Sequence, residues 1–529
     1  MQAHSARPHR LAALASRRFD LLVIGGGITG CGIARDAALR GLSVALVEKD
    51  DFASGTSSRS SRLIHGGVRY LEHGHLHLVF ESSAERRRLL RLAPQLVRPL
   101  AFTWPVYQHA RIPRWKLGAG LMLYDALALF QNVGRHERLS RAGVLAREPM
   151  LAGDGLRGGA AYYDASTDDA RLTLANAIAA SEAGAVVVNH AIAGERILEN
   201  GRVVGATISD TIGDAPHVDA RATVVVNATG PWSGEVRGSK GAHLAVPRER
   251  IENNGALTLL SPTDGRVFFV LPAGANAIIG TTETPAPASP DEVRATNEEI
   301  RYLLDATNTF FPRARLTTQD VVSAWAGIRP LIPTAASAGA ASREHAIAIA
   351  SDGVVSITGG KLTTYRIMAA QVVDVVGREL QRSARSTASA TTPLPGGDIA
   401  SLETLIATIA RTVNDLPLAT RLASYGSRWQ QVWNECASDN ARRVADGRAY
   451  TFGELRYAVH SEFALTLGDL LIRRTHLAFE TRDHGMSIAQ SVAADIAPLL
   501  GWDQSRQRAA IVAYDMEVER MFSVQSTKS

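Results

Sequence analysis

The feature that most constrains the fold is a glycine-rich turn between two short apolar runs near the beginning of the chain. Residues 19–24 are apolar and end at glycines, which is typical of a buried parallel strand. The string Gly25-Gly-Gly-Ile-Thr-Gly30 follows, then a helical stretch to about Arg40 and a second apolar strand over 43–47 that ends at Glu48. A strand, a helix and a strand in this order predict a βαβ unit that binds a dinucleotide.

Each glycine of the turn has its own role in that interpretation. Gly25 permits the tight turn, Gly27 lets the backbone approach a pyrophosphate, and Gly30 lets the helix pack closely on the strand. The N-terminal end of the helix then faces the phosphates with its positive dipole end. Glu48 stands where a carboxylate accepts hydrogen bonds from ribose hydroxyls.

Composition sets the wider limits. A chain of 529 residues is too long for one hydrophobic core, so we expect two or three domains. With 46% apolar and 21% charged residues it is globular, and with only two cysteines it has no disulfide framework, which favours a reducing compartment. The net charge of +5 is compatible with an anionic substrate or membrane surface. No basic run interleaved with aromatic residues predicts nucleic-acid binding, and no apolar run is long enough for a transmembrane helix.

The pattern predicts an α/β fold: a Rossmann-like nucleotide-binding domain with an interleaved β-rich substrate domain, followed by an all-helical C-terminal domain. Residues 1–18 carry four arginines and no acidic residue, and we expect a basic, flexible extension. The nucleotide-binding and substrate domains together are expected over 19–382, a Ser/Ala/Thr/Pro-rich linker over 383–395, and a helical cap domain over 396–529. The expected nucleotide-binding segments are about 19–80, 166–232 and 345–382, and the substrate-domain segments are mainly 81–165 and 233–344. Helices are predicted over 400–412, 452–475, 487–500 and 503–522.

Two later features favour FAD over NAD as the dinucleotide. Residues 56–62, Thr-Ser-Ser-Arg-Ser-Ser-Arg, form a hydroxyl-rich run after the second strand, which suits a diphosphate and ribityl chain. Residues 227–231, Asn-Ala-Thr-Gly-Pro, stand at a strand end in a pattern common among flavoproteins with this domain. Each feature alone is also compatible with an ordinary polar loop, and together they favour FAD.

At this point the sequence resembles the FAD-dependent, quinone-linked glycerol-3-phosphate dehydrogenases of the glycine/D-amino-acid oxidase superfamily. The matching strings are the glycine-rich segment 25–74 with SSRLIHGGVRYLE (60–72), DDARLTLANA (168–177), VVNATGPW (225–232), KGAHLAVPR (240–248), IIGTTE (278–283), AGIRPL (326–331) and GGKLTTYR (359–366). Arg62 stands where the family has lysine, Glu283 where it has aspartate, and the segment between Trp232 and Lys240 is shorter than usual. The extension before Phe19 is outside the resemblance.

The resemblance implies transfer of a hydride from C2 of sn-glycerol 3-phosphate to N5 of non-covalently bound FAD, giving dihydroxyacetone phosphate. It also implies delivery of the electrons to a membrane quinone, and so a cytoplasmic protein attached peripherally to the inner face of the cell membrane. We further expect a homodimer and no metal site. The alternatives are a glycerol-3-phosphate oxidase that reduces O₂ to peroxide, an amine or D-amino-acid oxidase of the same fold, and a flavin-free binding protein.

The cofactor residues follow from the turn, the hydroxyl-rich run and the matching strings. They are Gly25, Gly27, Gly30, Glu48, Thr56, Ser57, Ser60, Ser61, Arg62, Leu63, His65, Gly230, Gly360, Lys361, Leu362 and Thr363.

The substrate needs cations for its phosphate and a base for its C2 hydroxyl. The predicted substrate-binding residues are Arg69, Tyr70, Thr282, Arg329, Arg343 and Lys361. His243 is the first candidate for the base, because a histidine among cations is held neutral, and Arg329 is the second catalytic candidate, as a group that orients the alcohol. Each of these residues also has an ordinary interpretation, as a surface charge or a packing residue.

Residues 109–130 combine basic residues, Trp115 and an apolar stretch, which suits an interfacial helix on an anionic membrane. A buried helix of the oxidoreductase region explains the same pattern equally well.

Overall fold

The computed structural model describes residues 3–68, 71, 74–213, 215–234, 238–331, 345–382 and 386–526, with side chains from residue 7 onward. Within these residues the strands are β1 (Phe19–Ile24), β2 (Val44–Val47), β3 (Leu63–Ile64), β4 (Val97–Tyr107), β5 (Glu137–Leu139), β6 (Leu156–Thr167), β7 (Val186–Val188), β8 (Ala191–Glu199), β9 (Arg202–Asp210), β10 (Val218–Asn227), β11 (Ser239–Pro247), β12 (Ala256–Leu260), β13 (Val267–Ala273), β14 (Asn276–Gly280), β15 (Thr284–Pro285), β16 (Ser323–Arg329), β17 (His345–Ile349) and β18 (Val355–Gly359).

The helices of the described residues are α1 (Ala3–Ala15), α2 (Ile28–Leu39), α3 (Leu76–Leu92), α4 (Arg114–Leu127), α5 (Arg141–Arg147), α6 (Asp169–Glu182), α7 (Asn297–Phe310), α8 (Tyr365–Glu379), α9 (Leu402–Val413), α10 (Leu416–Leu422), α11 (Trp429–Ala437), α12 (Phe452–Ser461), α13 (Leu477–Glu480), α14 (Met486–Leu500) and α15 (Gln504–Phe522). A π-helical turn, Asp469–Arg474, lies between α12 and α13. None of the helices in the described ranges combines the length and apolar character needed to cross a bilayer.

The first sheet is built around β1, which pairs in parallel with β2 on one side and β10 on the other. Its strand order is β17-β18-β10-β1-β2-β7, with the β8–β9 hairpin attached to β10. The chain therefore leaves β1 at the point where the strand order reverses, which is where open α/β sheets bind ligands. The α/β fold expected from the sequence is confirmed.

The N-terminal extension differs from the flexible tail expected. Leu11 and Leu14 of α1 are buried in a cluster with Phe19 and Val225 of the first sheet. Arg7 donates hydrogen bonds to the carbonyl oxygens of Asn189 and His190 and to the carboxylate of Asp210. The expectation of a flexible extension rests on the charge of residues 1–18. Leu11 and Leu14 lie on one face of α1, and this apolar face packs the helix on the first sheet.

The second sheet carries the substrate side of the molecule. Its order is β15-β11-β14-β13-β12-β4-β6-β3, with β16 paired to β11 and β5 to β6. The short strand β3 pairs with β6. Residues 63–64, expected in the nucleotide-binding segment, therefore belong to this sheet and join the two domains directly.

The C-terminal region is helical, as predicted. The single helix expected over 452–475 is instead α12 followed by the π-helical turn, because Phe463 adopts a left-handed backbone conformation with φ of +61°. The described part of the expected linker, residues 386–395, packs on the first domain: Leu394 is buried, and Arg35 donates to the carbonyl oxygen of Thr392 over 2.6 Å.

Candidate active site

The glycine-rich turn directs the N-terminal end of α2 at a cavity of about 470 Å³. Gly25 has a φ of +110°, and a Cβ atom there would lie 2.6 Å from the carbonyl oxygen of Ala228. A Cβ atom on Gly30 would collide with the carbonyl oxygen of Gly25, so only glycine allows α2 to approach β1 this closely. The first N–H groups of α2 consequently border the cavity and form a site for phosphate oxygens.

Glu48 closes the same end of the cavity from the carboxyl end of β2. Its Oε2 atom accepts the N–H of Gly26 over 2.5 Å, and its Oε1 atom accepts the N–H of Asp50 over 3.0 Å. Burial raises the pKa of Glu48, and these two N–H donors oppose that rise. Each oxygen still has a second lone pair, so the carboxylate can accept ribose hydroxyls from the cavity side.

The hydroxyl-rich run lines the cavity, but its hydroxyls also bind other parts of the protein. The contacts are Thr56 to the carbonyl oxygen of Ile328 (2.8 Å), Ser57 from the N–H of Ile28 (3.0 Å), Ser60 to Asp169 (2.6 Å) and Ser61 with His243 (2.8 Å). The run therefore connects the nucleotide turn to α2, α6, β11 and β16. Its hydroxyls fix the relative position of the two domains around the cavity.

Most of the predicted cofactor residues lie on this cavity wall: Gly25, Gly27, Glu48, Thr56, Ser57, Ser60, Ser61, Leu63, His65, Gly230, Gly360, Lys361 and Leu362. Three act behind it. Gly30 allows the helix packing described above. Thr363 joins two loops, since its hydroxyl accepts the N–H of His65 and donates to the carbonyl oxygen of the same residue. The guanidinium of Arg62 lies 4.8 Å from the ring of Phe479 in the C-terminal domain.

A smaller cavity of about 120 Å³, here called the annex, adjoins the first. The two share the wall residues Ser61, Leu63, His65, Phe269 and Arg329. Asp164, Tyr162 and Thr281 line only the annex. The annex is about a quarter of the volume of the first cavity, so it has room for a small substrate and not for a dinucleotide. Its walls come from strands of the second sheet and from the residues on either side of β3.

Arg329 is held in place on the wall shared by both cavities. Its Nη2 atom donates to the hydroxyl of Thr281 over 2.9 Å and to the carbonyl oxygen of Thr282 over 3.1 Å. Its Nη1 atom lies 3.4 Å from the hydroxyl of Ser239. These contacts hold the guanidinium where the two cavities meet, so its positive charge borders the annex.

His243 lies on β11 and is buried, with its ring stacked on Trp325 at 5.5 Å between ring centres. Its Nε2 atom is 2.8 Å from the Oγ atom of Ser61, while its buried Nδ1 atom has no hydrogen-bond partner among the described residues. Burial, together with the positive charges of Arg329 and Arg62, lowers the pKa of His243 to about 3. The imidazole is therefore neutral at physiological pH. Burial lowers its pKa more than the two positive charges do.

The remaining predicted substrate residues fall into three groups. Arg69, Tyr70 and Arg343 lie outside the described residues. Lys361 lines the larger cavity with its ammonium nitrogen buried. Thr282 points elsewhere: its hydroxyl accepts the N–H of Ala242 and donates to Glu299, and its neighbour Thr281 is the one that lines the annex. In an extended strand neighbouring side chains face opposite sides, and the sequence did not show which threonine faced the annex.

Sequence reasoning also missed two charged groups. Arg59 lies within the hydroxyl-rich run and lines the larger cavity, where burial and the positive charge of Arg520 lower its pKa to about 10. Asp164 lines the annex and accepts from Arg86 and from the hydroxyl of Tyr124 (2.7 Å). Arg59 could have been included because it stands between predicted site residues. Asp164 and Arg86 are far apart in the chain, and no spacing rule links them.

Comparison with known proteins shows which family has this sequence and fold. Residues 20–366 match the family model described as FAD dependent oxidoreductase, and residues 387–507 match the C-terminal domain of alpha-glycerophosphate oxidase. A relative from Synechocystis, named glycerol-3-phosphate dehydrogenase, is 37% identical, and the match covers 95% of this chain and 96% of the relative. The chain belongs to the FAD-dependent glycerol-3-phosphate dehydrogenase family. The resemblance seen in the sequence motifs is confirmed.

Two further members of the family are similar over nearly their whole length. The aerobic glycerol-3-phosphate dehydrogenase of Staphylococcus haemolyticus is 33% identical, over 96% of this chain and 95% of the relative. The crystal structure of the Bacillus halodurans glycerol-3-phosphate dehydrogenase complexed with FAD superposes with a TM-score of 0.81 and 31% identity, covering 99% of this chain and 100% of that one. Both domains of the fold are thus shared.

FAD is the cofactor of this family member, and the residues fit it. The cavity offers the helix N-terminus for a pyrophosphate and the buried carboxylate of Glu48 for a ribose. It continues past the hydroxyl-rich run to Lys361 and His65, where the annex opens. A dinucleotide with its ribose at Glu48 would be held at its other end by the residues next to the annex.

Proposed function

We propose that the protein oxidises sn-glycerol 3-phosphate to dihydroxyacetone phosphate where the cavity and the annex meet. The observation that carries the proposal is the position of Arg329, whose guanidinium lies on the wall that both cavities share. The family relatives named glycerol-3-phosphate dehydrogenase support this substrate. An amino acid would offer a carboxylate to the same guanidinium, so a comparison of substrates has to separate the two classes.

FAD supplies, when bound, the acceptor for the two electrons and the hydrogen that leave C2. The protein then has two tasks: to hold the phosphate and to take the proton of the C2 hydroxyl. Arg329 places the positive charge of its guanidinium beside the phosphate oxygens, and Lys361 adds a point charge from the side of the cofactor cavity.

His243 is the proposed base, and Ser61 connects it to the substrate. Ser61 lines both cavities, and its Oγ atom is 2.8 Å from Nε2 of His243. The C2 hydroxyl passes its proton to this Oγ atom while Ser61 passes its own to Nε2. A pKa near 3 makes a free imidazole a weak base, but the bound phosphate carries negative charge that favours the imidazolium. The substrate thereby strengthens the base that acts on it.

The test is anaerobic bleaching of the flavin spectrum in the purified protein. Glycerol 3-phosphate should bleach the flavin within seconds, while glycerol and a panel of D-amino acids at the same concentration should not. Bleaching by an amino acid in preference to glycerol 3-phosphate would replace the proposed substrate.

The proposed electron acceptor is a membrane quinone. The alternative, in which O₂ takes the electrons, shares every residue discussed above. The two differ in product: the dehydrogenase reduces a soluble quinone analogue quickly and releases little peroxide in air, whereas the oxidase releases one peroxide per substrate. Measuring both in one preparation decides between them.

We also propose that α4 and the residues around it rest on the membrane. Trp115 is 72% exposed, Phe130 57% and Met122 54%, which is unusual for large apolar side chains in water. The basic residues Arg111, Arg114 and Lys116 are exposed beside them. Leu121 and Tyr124 on the other side of α4 are fully buried, so the helix packs on the protein and presents apolar side chains outward as well. An anionic surface matches both features.

This surface fits a protein attached peripherally to the inner face of the cell membrane. We also propose that the protein is a homodimer. Light scattering of the detergent-free protein measures the mass of the particle and so tests this directly.

A further inference from the structure

A buried ion-pair network joins the C-terminal helical domain to the cofactor cavity. At its centre is Asp51, which is fully buried and lies three residues after Glu48. Arg473 donates to its carboxylate over 2.7 Å, and Arg474 donates to both oxygens, over 2.5 and 3.0 Å. Both arginines come from the π-helical turn of the C-terminal domain.

The loop that carries Asp51 is the loop that borders the adenosine end of the cavity. Glu48, Lys49 and Ser54 of this loop line the cavity. The N–H of Ala53 donates to the carbonyl oxygen of Gly26 over 3.1 Å, so the loop also supports the glycine-rich turn. A displacement of Asp51 would therefore be felt at both the ribose and the phosphate positions.

A second contact holds the same loop from the same domain. The ring of Phe52 is buried and meets the ring of Phe463 edge to face, at 5.6 Å between centres. Asn189 joins the two sides, since its Nδ2 atom donates to Asp51 over 2.9 Å and to the carbonyl oxygen of Phe463 over 3.0 Å. The loop is thus held by charge at one residue and by packing at the next.

The cluster also brings Asp51, His190 and Asp469 close enough to suggest a cation site. Its carboxylates are already occupied by guanidinium groups: Arg473 donates to Asp469 over 2.9 Å as well as to Asp51. The arrangement is that of a closed ion-pair network, in which buried carboxylates are compensated by arginine.

We propose that Arg473 and Arg474 are positioning residues for FAD, through which the C-terminal domain holds the Asp51 loop in its cofactor-binding conformation. The C-terminal domain then does more than cover the oxidoreductase domain. It determines how long FAD stays bound, and this holds whichever substrate the enzyme oxidises.

The structure offers a matched control that separates an effect on the Asp51 loop from a general weakening of the contact between the two domains. Arg171 of α6 and Glu462 form another buried, two-pronged ion pair between the same domains, with distances of 2.6 and 3.2 Å. Neither residue lines the cofactor cavity as described, and neither belongs to the Asp51 loop. The carbonyl oxygen of Glu462 also accepts from Arg474, over 2.7 and 3.0 Å, so the control must leave the main chain in place. Glu462→Gln keeps this carbonyl and breaks the side-chain pair with Arg171.

The experiment compares FAD release from four holoenzyme variants: Asp51→Asn, Arg474→Met, Arg474→Lys and Glu462→Gln. Each is diluted into FAD-free buffer, and the rate constant of FAD release is followed by the recovery of flavin fluorescence, with the melting temperature measured in parallel. We expect release at least tenfold faster in Asp51→Asn and Arg474→Met, partial rescue in Arg474→Lys, and a change of less than threefold in Glu462→Gln.

Two results would overturn the proposal. One is an unchanged release rate in Asp51→Asn and Arg474→Met. The other is equally fast release in Glu462→Gln at a similar loss of melting temperature, which would assign the effect to domain docking in general. If Asp51→Asn and Arg474→Met do not yield folded holoenzyme, Arg473→Lys and Arg474→Lys decide the question. Both keep the positive charge but lose the planar guanidinium, so FAD release at the wild-type rate in both would contradict a role for the two guanidinium groups.

Discussion

The Nε2 atom of His243 and the Oγ atom of Ser61 are 2.8 Å apart, although the two residues belong to different domains of the fold. Ser61 comes from the hydroxyl-rich run between β2 and β3, and His243 from the middle of β11. The contact therefore forms only when the two sheets are correctly placed. It joins the hydroxyl-rich run to the proposed base, so the proposed proton transfer requires the two sheets to be in this arrangement.

Replacing His243 with alanine should slow flavin reduction by glycerol 3-phosphate about 10²–10⁴-fold, the usual contribution of a general base. FAD should stay bound, because the imidazole makes no contact with the glycine-rich turn or Glu48. Anaerobic stopped-flow absorbance measures the rate. Ser61→Thr keeps a hydroxyl and should lose less than Ser61→Ala; reduction at the wild-type rate in His243→Ala would remove His243 from the mechanism.

The low pKa of His243 makes a second prediction, about pH. In the free enzyme the imidazole is protonated only near pH 3, so kcat/KM should show no acid limb from His243 between pH 5 and 8. Any fall of kcat/KM toward acid pH should instead come from protonation of the substrate phosphate, whose second pKa is about 6. Profiles of the wild type and His243→Asn should then be parallel. A limb near pH 6.5 that disappears in the variant would contradict the low pKa.

The sequence allowed the nucleotide end of the site to be predicted well, because local chemistry decides it. Gly25, Gly30 and Glu48 belong to one continuous βαβ unit, so their roles follow from neighbours in the chain. The strand, the turn and the helix all lie where the apolar pattern places them. The helical character of the C-terminal region followed from its periodicity in the same way.

The substrate end was predicted less completely, because it is assembled from residues far apart in the chain. Thr281 rather than Thr282 lines the annex, and Asp164 was not predicted at all. The N-terminal helix was missed because charge was weighed more than Leu11 and Leu14, whose burial depends on a partner surface that only the folded chain provides. Long-range pairing has no signature in local spacing.

Replacing Glu48 with arginine should abolish stable FAD binding. The carboxylate accepts hydrogen bonds from the N–H groups of Gly26 and Asp50. An arginine side chain has no acceptor atom, so it can accept neither these N–H groups nor the ribose hydroxyls. The flavin content of the purified variant, measured by absorbance after gel filtration, should fall close to zero. Glu48→Gln keeps one carbonyl oxygen and should retain part of the flavin. Stoichiometric FAD at wild-type affinity in Glu48→Arg would show that Glu48 does not contact the cofactor.

Arg329→Ala should change substrate preference rather than overall activity. Loss of one partner of a buried charge pair costs about 2–5 kcal/mol, which is roughly 30-fold to several thousand-fold in kcat/KM for glycerol 3-phosphate. The trace activity on glycerol, which has no phosphate, should hardly change. Lys361→Ala should lose less, because Lys361 lines only the larger cavity, whereas Arg329 also lines the annex. An equal loss on both substrates would mean that Arg329 acts on the alcohol or the flavin.

Charge reversal beside α4 should release the protein from anionic membranes. Arg111, Arg114 and Lys116 stand next to exposed Trp115, and each basic residue near an anionic surface contributes about 1 kcal/mol. Changing all three to glutamate should therefore weaken binding to phosphatidylserine vesicles by at least about a hundredfold, measured by flotation at low and high salt. The control changes Arg301, Arg411 and Arg508, exposed residues on α7, α9 and α15, to glutamate, which alters the net charge equally. Loss of flotation in both triple variants would show that net charge alone governs membrane binding. Unchanged flotation in the α4 variant would place the contact on another surface.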